Sequence, residues 1–255
     1  MLDQFSEERF EGSNGEIAFR RAGEGPPLVL VHGHPETSLM WHGVAPKLTD
    51  QFSVVLPDIR GYGDSEVPKP IETEHYSKRE MANDVVELMA ELGHDEFQLA
   101  GHDRGGRVGY RLALDHPDRI QRLCVLDMIP SLEYYERATW RQSKRIYVWY
   151  LYPQPYPYPE TLIGNAPDFH LEWLLDQWSD GELEDVFGEE ALEVYRECMR
   201  DEDTRRAMME DYRAGFHIDT EYDREDREAG NKITCPSLAM YATGQSRTDP
   251  RPNPV

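Results

Sequence analysis

A carboxylate stands in the middle of a glycine-rich turn, the stretch Gly101–Gly105 with the sequence GHDRG. A short apolar run at residues 97–100 leads into the turn, and a helical pattern begins directly after it. Small residues on both sides let a strand turn sharply into a helix and present the middle side chain at a sheet edge. A carboxylate held there can attack an alkyl carbon and form an ester that water later opens. The turn therefore predicts Asp103 as a nucleophile, with an Asp helix cap as the simpler alternative.

The elements that must position Asp103 are predicted as alternating strands and helices. Buried strands are predicted where short apolar runs occur, at residues 28–31, 54–56, 97–100 and 120–126. Helical spacing is found at residues 37–48, at 77–92 and from the turn to about residue 115, and residues 7–22 predict an antiparallel hairpin. This order is typical of an α/β fold with a mostly parallel sheet, whose ligands bind beyond the carboxyl ends of the strands.

Two further groups follow strands and are expected beside the turn. Asp127 comes directly after the strand at 120–126, so its carboxylate could orient a catalytic base. The backbone N–H of His34, which follows Gly33, could form an oxyanion site together with the N–H of Arg104. An ordinary Gly-Pro loop is the alternative for this second feature.

The character of the chain changes at about residue 131, where aromatic and acidic residues become frequent. Residues 131–230 predict a helical cap inserted into a core formed by residues 1–130 and 231–245, and residues 246–255 predict an unstructured tail. The Pro-Tyr tract at 152–159 is expected to be a surface crossing, neither helix nor central strand. A strand at residues 233–242 is expected to return the chain to the sheet.

Composition limits the partners of the chain. The formal net charge of −22, from 49 acidic and 27 basic residues, disfavours nucleic acid and anionic membranes. Only five of the basic residues are Lys, as expected of a protein adapted to high salt, and an acidic interaction surface is the alternative. The acids are spread along the chain, which favours a general role in solubility. The three cysteines are widely spaced, which favours reduced thiols over a metal site. With no membrane-length apolar run and an acidic N-terminus, we expect a cytoplasmic protein, and a homodimer is compatible with the sequence.

The motifs resemble those of one family, the haloacetate (fluoroacetate) dehalogenases, which are α/β-hydrolases with an Asp nucleophile. The resemblance runs from about residue 7 to 244 and is strongest in four segments, at 101–115, 126–130, 146–149 and 211–215. It implies that an Asp displaces halide from a 2-haloacid and that a His-Asp pair then activates water to hydrolyse the ester, without a metal or organic cofactor.

Carried onto matching positions, the resemblance implies a role for each of six side chains. Asp103 would be the nucleophile and Asp127 the acid behind the His, Arg104 and Arg107 would bind the substrate carboxylate, and Trp149 and Tyr212 would donate to the halide. Guanidinium groups three residues apart lie on one helix face and suit a carboxylate ligand. A solvated helix face is the alternative for the arginines, and cap packing is the alternative for the two aromatic residues.

Two departures from the family pattern affect these expectations. Val148 stands where the family often has a His that donates to halide, which weakens the case for fluoride more than for chloride or bromide. The base His of the family follows the last sheet strand, whereas all nine histidines here precede that point. With a final strand and its helices also missing from the pattern, we hypothesise a truncated or frameshifted version of a longer dehalogenase, able to alkylate Asp103 but slow to hydrolyse the ester.

Three other functions remain open. An epoxide hydrolase shares the Asp turn and could use Tyr147, Tyr150 or Tyr212 to activate the epoxide oxygen, but a pair of arginines has no purpose for a neutral epoxide. A haloalkane dehalogenase is disfavoured for the same reason. A non-catalytic relative that binds small carboxylates or a partner protein is the third alternative.

Overall fold

The core of the molecule is a single mixed sheet, formed within residues 1–242, which the computed structural model describes. Its strands are β1 (Ser6–Gly12), β2 (Gly15–Ala22), β3 (Pro27–Val31), β4 (Ser53–Pro57), β5 (Phe97–His102), β6 (Ile120–Leu126) and β7 (Ser237–Met240). They lie in the order β1-β2-β4-β3-β5-β6-β7. The β1–β2 and β2–β4 pairs are antiparallel, and every pair from β4 to β7 is parallel. The predicted hairpin and mostly parallel sheet are confirmed.

Two helices of the core support the sheet: α1 (Lys78–Glu91) and α2 (Arg104–Asp115). The side chain of Ser77 caps α1, and its apolar stripe, which includes Val85 and Leu88, is buried. α2 packs against α1 and against strands β3, β5 and β6. Because α2 starts directly after β5, its first residues lie at the carboxyl edge of the sheet.

Helices fill the segment between β6 and β7. They are α3 (Ser131–Arg137), α4 (Trp140–Arg145), α5 (Val148–Leu151), α6 (Tyr158–Gly164), α7 (Pro167–Trp178), α8 (Leu183–Phe187), α9 (Glu189–Arg200), α10 (Glu202–His217) and α11 (Asp219–Ala229). We call this group the cap. α10 contacts α6, α9 and α11 and also the short 3-10 helix Thr73–Tyr76, which belongs to a loop of the core. α10 is therefore one of the cap elements that contact the core.

Two local predictions are corrected. The helix expected at 37–48 is instead two short 3-10 helices, Ser38–Gly43 and Ala45–Lys47. Pro46 has no N–H to donate, so an α-helical ladder could not continue through it.

No helix of the described residues is long and apolar enough to cross a membrane.

The Pro-Tyr tract is a surface crossing in its middle, where residues 154–157 are exposed, but not at its ends. Tyr152 is fully buried, and α6 begins inside the tract with Pro159 in its first turn. Proline is tolerated there because the first N–H groups of a helix have no partner in the helix. The tail predicted at 246–255 lies outside the described residues.

Candidate active site

The turn between β5 and α2 holds Asp103 in a conformation that residues other than glycine rarely adopt, with φ 46° and ψ −108°. Two glycines permit this geometry. A Cβ at Gly101 would lie 2.3 Å from the carbonyl oxygen of Gly105, and a Cβ at Gly105 would lie 2.3 Å from that of Val31. The Asp103 side chain remains 23% exposed. The turn thus presents the carboxylate at the end of β5 instead of burying it in the core.

Each oxygen of the Asp103 carboxylate has a different partner. The N–H of His34 donates to Oδ1 at 3.2 Å, and Nη1 of Arg107 donates to Oδ2 at 3.1 Å. Burial alone would raise the pKa of Asp103, but the charges of Arg107 and Arg104 lower it below its ordinary value. The group is therefore ionised at neutral pH, as a carboxylate nucleophile must be.

The loop after β3 approaches the nucleophile closely because it carries a glycine. A Cβ at Gly33 would lie 2.8 Å from the Cβ of Asp103. This approach brings the His34 N–H to Oδ1, which suits an oxyanion donor if Oδ1 becomes the carbonyl oxygen of an ester. The Arg104 N–H, the other expected donor, lies at the first position of α2, directly after Asp103.

Arg104 is fully buried, and Asp211 of α10 takes most of its hydrogen bonds. Nε of Arg104 donates to Oδ2 of Asp211 at 2.8 Å, while Nη2 donates to Oδ1 and to the backbone oxygen, both at 2.6 Å. Nη1 is buried and has no hydrogen-bond partner within residues 1–242. Arg104 is therefore an anchored cation with one free nitrogen.

Two other groups contact Asp211, and one of them also pairs with a second carboxylate. The Lys78 ammonium pairs with its Oδ1 and lies 3.6 Å from Oδ2 of Asp219, and the Tyr62 hydroxyl donates to Oδ2 of Asp211 at 2.8 Å. Burial alone would raise the pKa of Asp211, but Arg104 and Lys78 hold it below its ordinary value. Since Lys78 and Tyr62 belong to the core and Asp211 and Asp219 to the cap, this cluster joins the two parts behind Arg104.

Arg107 is buried between Asp103 and two cap residues, Trp149 and Tyr134, which we call the aromatic wall. Its guanidinium carbon lies 4.3 Å from the centroid of the Trp149 ring, which is itself 4.0 Å from the ring of Tyr134. A guanidinium that lies over an aromatic ring keeps its edge available for hydrogen bonds. Nε of Arg107 is buried and has no partner in the described part of the chain.

Tyr212 lies between Trp149 and the imidazole of His34, at ring-centroid distances of 5.7 and 5.2 Å. Its ring also faces the Arg104 guanidinium at 4.1 Å. Burial raises the pKa of Tyr212, so its hydroxyl keeps its proton and can donate to an anion. The structure thus brings Asp103, both arginines, Trp149 and Tyr212 into one cluster of contacts.

Asp127 lies apart from this cluster. It follows β6 with a φ of 47°, and its N–H donates to the carbonyl oxygen of Met240 at 2.8 Å. Its side chain is exposed and makes no hydrogen bond or ion pair with any residue from 1 to 242. Within this range, Asp127 is not in contact with a histidine that it could orient.

All nine histidines lie in the described residues, and three are near Asp103. His102 faces Glu36, with 3.3 Å between Nδ1 and Oε2. Burial alone would lower the pKa of His102, but Glu36, assisted by Asp103 and Asp127, raises it to about 9. This imidazole is charged at neutral pH and cannot accept a proton, which makes it unsuitable as a general base.

The other two histidines near the nucleophile are neutral. His32 uses both ring nitrogens, since Nε2 accepts the N–H of Ile59 and Nδ1 donates to the oxygen of Gly33. Burial lowers the pKa of His34 to about 3, and its Nδ1 lies 3.4 Å from the Tyr62 hydroxyl. Six histidines make no hydrogen bond or ion pair with Asp103 or Asp127: His42, His75, His94, His116, His170 and His217.

Sequence reasoning did not identify Asp211, Lys78, Tyr62 or Glu36 as parts of the site. Asp211 directly precedes Tyr212 in one of the four similar segments, and this adjacency was a usable signal. Lys78 was a weaker one, as one of five lysines in an acidic chain. Tyr62 carried none, because its contact with Asp211 depends on how the cap meets the core. Glu36 carried none, because its contact with His102 joins two distant segments of the core.

Comparison with known proteins agrees with the fold. The family model of the alpha/beta hydrolase fold matches residues 26–251. A fluoroacetate dehalogenase from Burkholderia sp is 44% identical over 219 residues, which cover 86% of this chain and 71% of that protein. A soluble epoxide hydrolase from Corynebacterium sp. (strain C12) is 49% identical over 111 residues, 44% of this chain and 37% of that protein.

A solved structure is also similar along nearly the whole chain. It is ALR0039, described as a putative alpha/beta hydrolase from Nostoc sp PCC 7120, with a TM-score of 0.91 and 40% identity over 95% of this chain and 82% of that one. The mostly parallel sheet, the acid at the turn after β5 and the length of the family match lead to one conclusion. The chain belongs to the α/β-hydrolase family.

Proposed function

We propose that this hydrolase dehalogenates a small 2-haloacid, such as a haloacetate, through an alkyl ester on Asp103. The observation that carries the proposal is the pair of buried guanidinium groups beside the nucleophile. Arg104 and Arg107 each have one buried nitrogen without a hydrogen-bond partner among residues 1–242. An electrophile that bears a carboxylate would satisfy both nitrogens, and a neutral substrate would leave them unpaired at a cost.

The contacts of Asp103 suggest which atom reacts. Oδ1 stays with the His34 N–H, and Oδ2, beside Arg107, attacks the carbon that carries the halogen. One C–O bond forms, the carbon–halogen bond breaks with its electron pair, and the halide leaves toward the hydroxyl of Tyr212 and the indole N–H of Trp149. In the second step water adds to Cγ of Asp103, His34 N–H stabilises the oxyanion, and the hydroxyacid and a proton are released. No cofactor is invoked.

We further propose that ester hydrolysis is slow in the 255-residue chain. The step needs a neutral base beside Cγ of Asp103, oriented by an acid. His102 is charged, and His32 has both nitrogens occupied. His34 is neutral, but burial lowers its pKa to about 3, so it is too weak a base to take a proton from water. Asp127 contacts no histidine in the described residues. Alkylation needs no base and is expected to be the faster step.

An epoxide hydrolase is the second candidate, supported by the similarity to the soluble epoxide hydrolase and by the protonated hydroxyl of Tyr212 near Asp103. One assay distinguishes the two functions: the wild-type protein and Asp103→Asn are each incubated with chloroacetate and, separately, with styrene oxide. Chloride release that depends on Asp103, without consumption of the epoxide, supports the haloacid function. Diol formation from styrene oxide without chloride release would replace it with the second candidate.

A further inference from the structure

Asp211 occupies one whole edge of the Arg104 guanidinium. A guanidinium carries five N–H groups, one on Nε and two on each Nη. Asp211 accepts from Nε and, through its carboxylate and its backbone oxygen, twice from Nη2. The two remaining N–H groups are those of Nη1, which is buried and unpaired among the described residues. The planar fork therefore has one orientation, fixed from the cap side.

The charges around Asp211 balance, so its effect on a bound anion is one of orientation. Arg104 and Lys78 are cationic and Asp211 and Asp219 are anionic, and all four side chains are at most 1% exposed. Loss of the Asp211 charge would leave a surplus cation near the site and by charge alone would favour an anionic substrate. Loss of the hydrogen bonds between Arg104 and Asp211 would instead disfavour an anionic substrate, because Arg104 could then turn toward the neighbouring carboxylate of Asp103.

We propose that Asp211 is the positioning residue that sets the preference of the site for a carboxylate-bearing electrophile. It does so by holding Arg104 in one orientation with Nη1 unpaired, without itself touching the substrate. The inference rests on the proposed function, since it assigns the substrate carboxylate to Arg104. It also means that the cap contributes to substrate selection through a core arginine as well as through its aromatic wall.

The test compares an anionic electrophile with a neutral one of the same size, chloroacetate and chloroacetamide. The measured quantity is the second-order rate constant for chloride release in the first turnover, corrected with Asp103→Asn for alkylation of cysteines. In Asp211→Asn we expect the rate constant for chloroacetate, divided by that for chloroacetamide, to fall at least tenfold, because the constant for chloroacetate decreases more. A purely structural role would lower both constants equally, and a purely electrostatic role would raise the ratio.

Glu210 provides the matched control, because it is the preceding residue of α10, is also buried, and pairs with Arg213 instead of Arg104. Glu210→Gln is expected to keep the wild-type ratio. An unchanged or raised ratio in Asp211→Asn would overturn the proposal. If that variant does not fold, Lys78→Met/Asp211→Asn removes one charge of each sign and carries the same expectation. Wild-type protein that releases no chloride above the blank, or prefers the amide, would instead refute the proposed function.

Discussion

Removal of the Arg107 charge is expected to separate substrate binding from the reactivity of Asp103. Arg107→Met keeps a long apolar side chain against Trp149 but loses the donor that lies 3.1 Å from Oδ2 of Asp103. It also loses the unpaired Nε proposed to bind the substrate carboxylate. A hydrogen bond to a charged group contributes about 1.5–3 kcal/mol, which corresponds to roughly 10–150-fold in rate.

The expected result is a drop of about that size in the rate constant for alkylation by chloroacetate, measured as first-turnover chloride release. Chloroacetamide is expected to lose far less, because Asp103 stays ionised with Arg104 and the His34 N–H still present. The pH profile adds a second readout. Arg107 lowers the pKa of Asp103 more than any other charge does, so its loss raises that pKa and moves the acid limb of the profile to higher pH.

Arg111→Met is the control for loss of a buried arginine on the same helix. Arg111 lies one turn after Arg107, is 1% exposed and pairs with Asp115 and Asp226, away from the nucleophile. It is expected to lower the melting temperature without moving the acid limb or the substrate preference. An Arg107→Met protein that alkylates at the wild-type rate with an unmoved acid limb would refute the assignment of Arg107.

Three further predictions concern the pH, packing and salt dependence of the protein. Burial lowers the pKa of His34 from 6.5 to about 3, so between these pH values a proton binds His34 in the unfolded chain but not in the folded one. The free energy of unfolding of the wild type should therefore fall as the pH drops from 6.5 toward 3. In urea unfolding, His34→Phe should show a smaller fall over the same range. Gly105→Ala places a Cβ 2.3 Å from the oxygen of Val31 and should cost about 1–3 kcal/mol in urea unfolding, with loss of chloride release; wild-type stability would contradict the close approach. Because the net charge is −22, raising KCl should increase the melting temperature and lower the KM for chloroacetate, and a KM independent of salt would contradict long-range repulsion of the substrate.

The sequence was sufficient for most of the core because local signals there agree with the fold. Continuous apolar runs became β3 to β6, and the apolar stripe of α1 and the glycines around Asp103 marked their elements within a residue or two. Helical spacing at 37–48 predicts an α-helix, but Pro46 lacks the N–H that such a helix needs there. In the Pro-Tyr tract proline has the opposite effect, since Pro159 fits the first turn of α6.

Local spacing could predict the site only where its groups are close in sequence, whereas Trp149 and Tyr212 were expected from the resemblance. Asp103, Arg104 and Arg107 lie within five residues, so a single turn and helix fix their neighbourhood. The partner of Arg104, in contrast, is 107 positions away on α10, and its engagement depends on how the cap packs on the core. The resemblance, with which the spacing agrees, therefore implied two arginines for the substrate but not that Asp211 accepts most of the hydrogen bonds of one of them.

The most direct test of the central claim is mass spectrometry of acid-quenched protein after brief incubation with chloroacetate. The account predicts one carboxymethyl group per chain, mapped to the peptide that contains Asp103, with one chloride released for each group and neither in Asp103→Asn. Repeated turnover with no modified Asp103 at any quench time, or chloride release that persists in Asp103→Asn, would contradict an ester on this carboxylate.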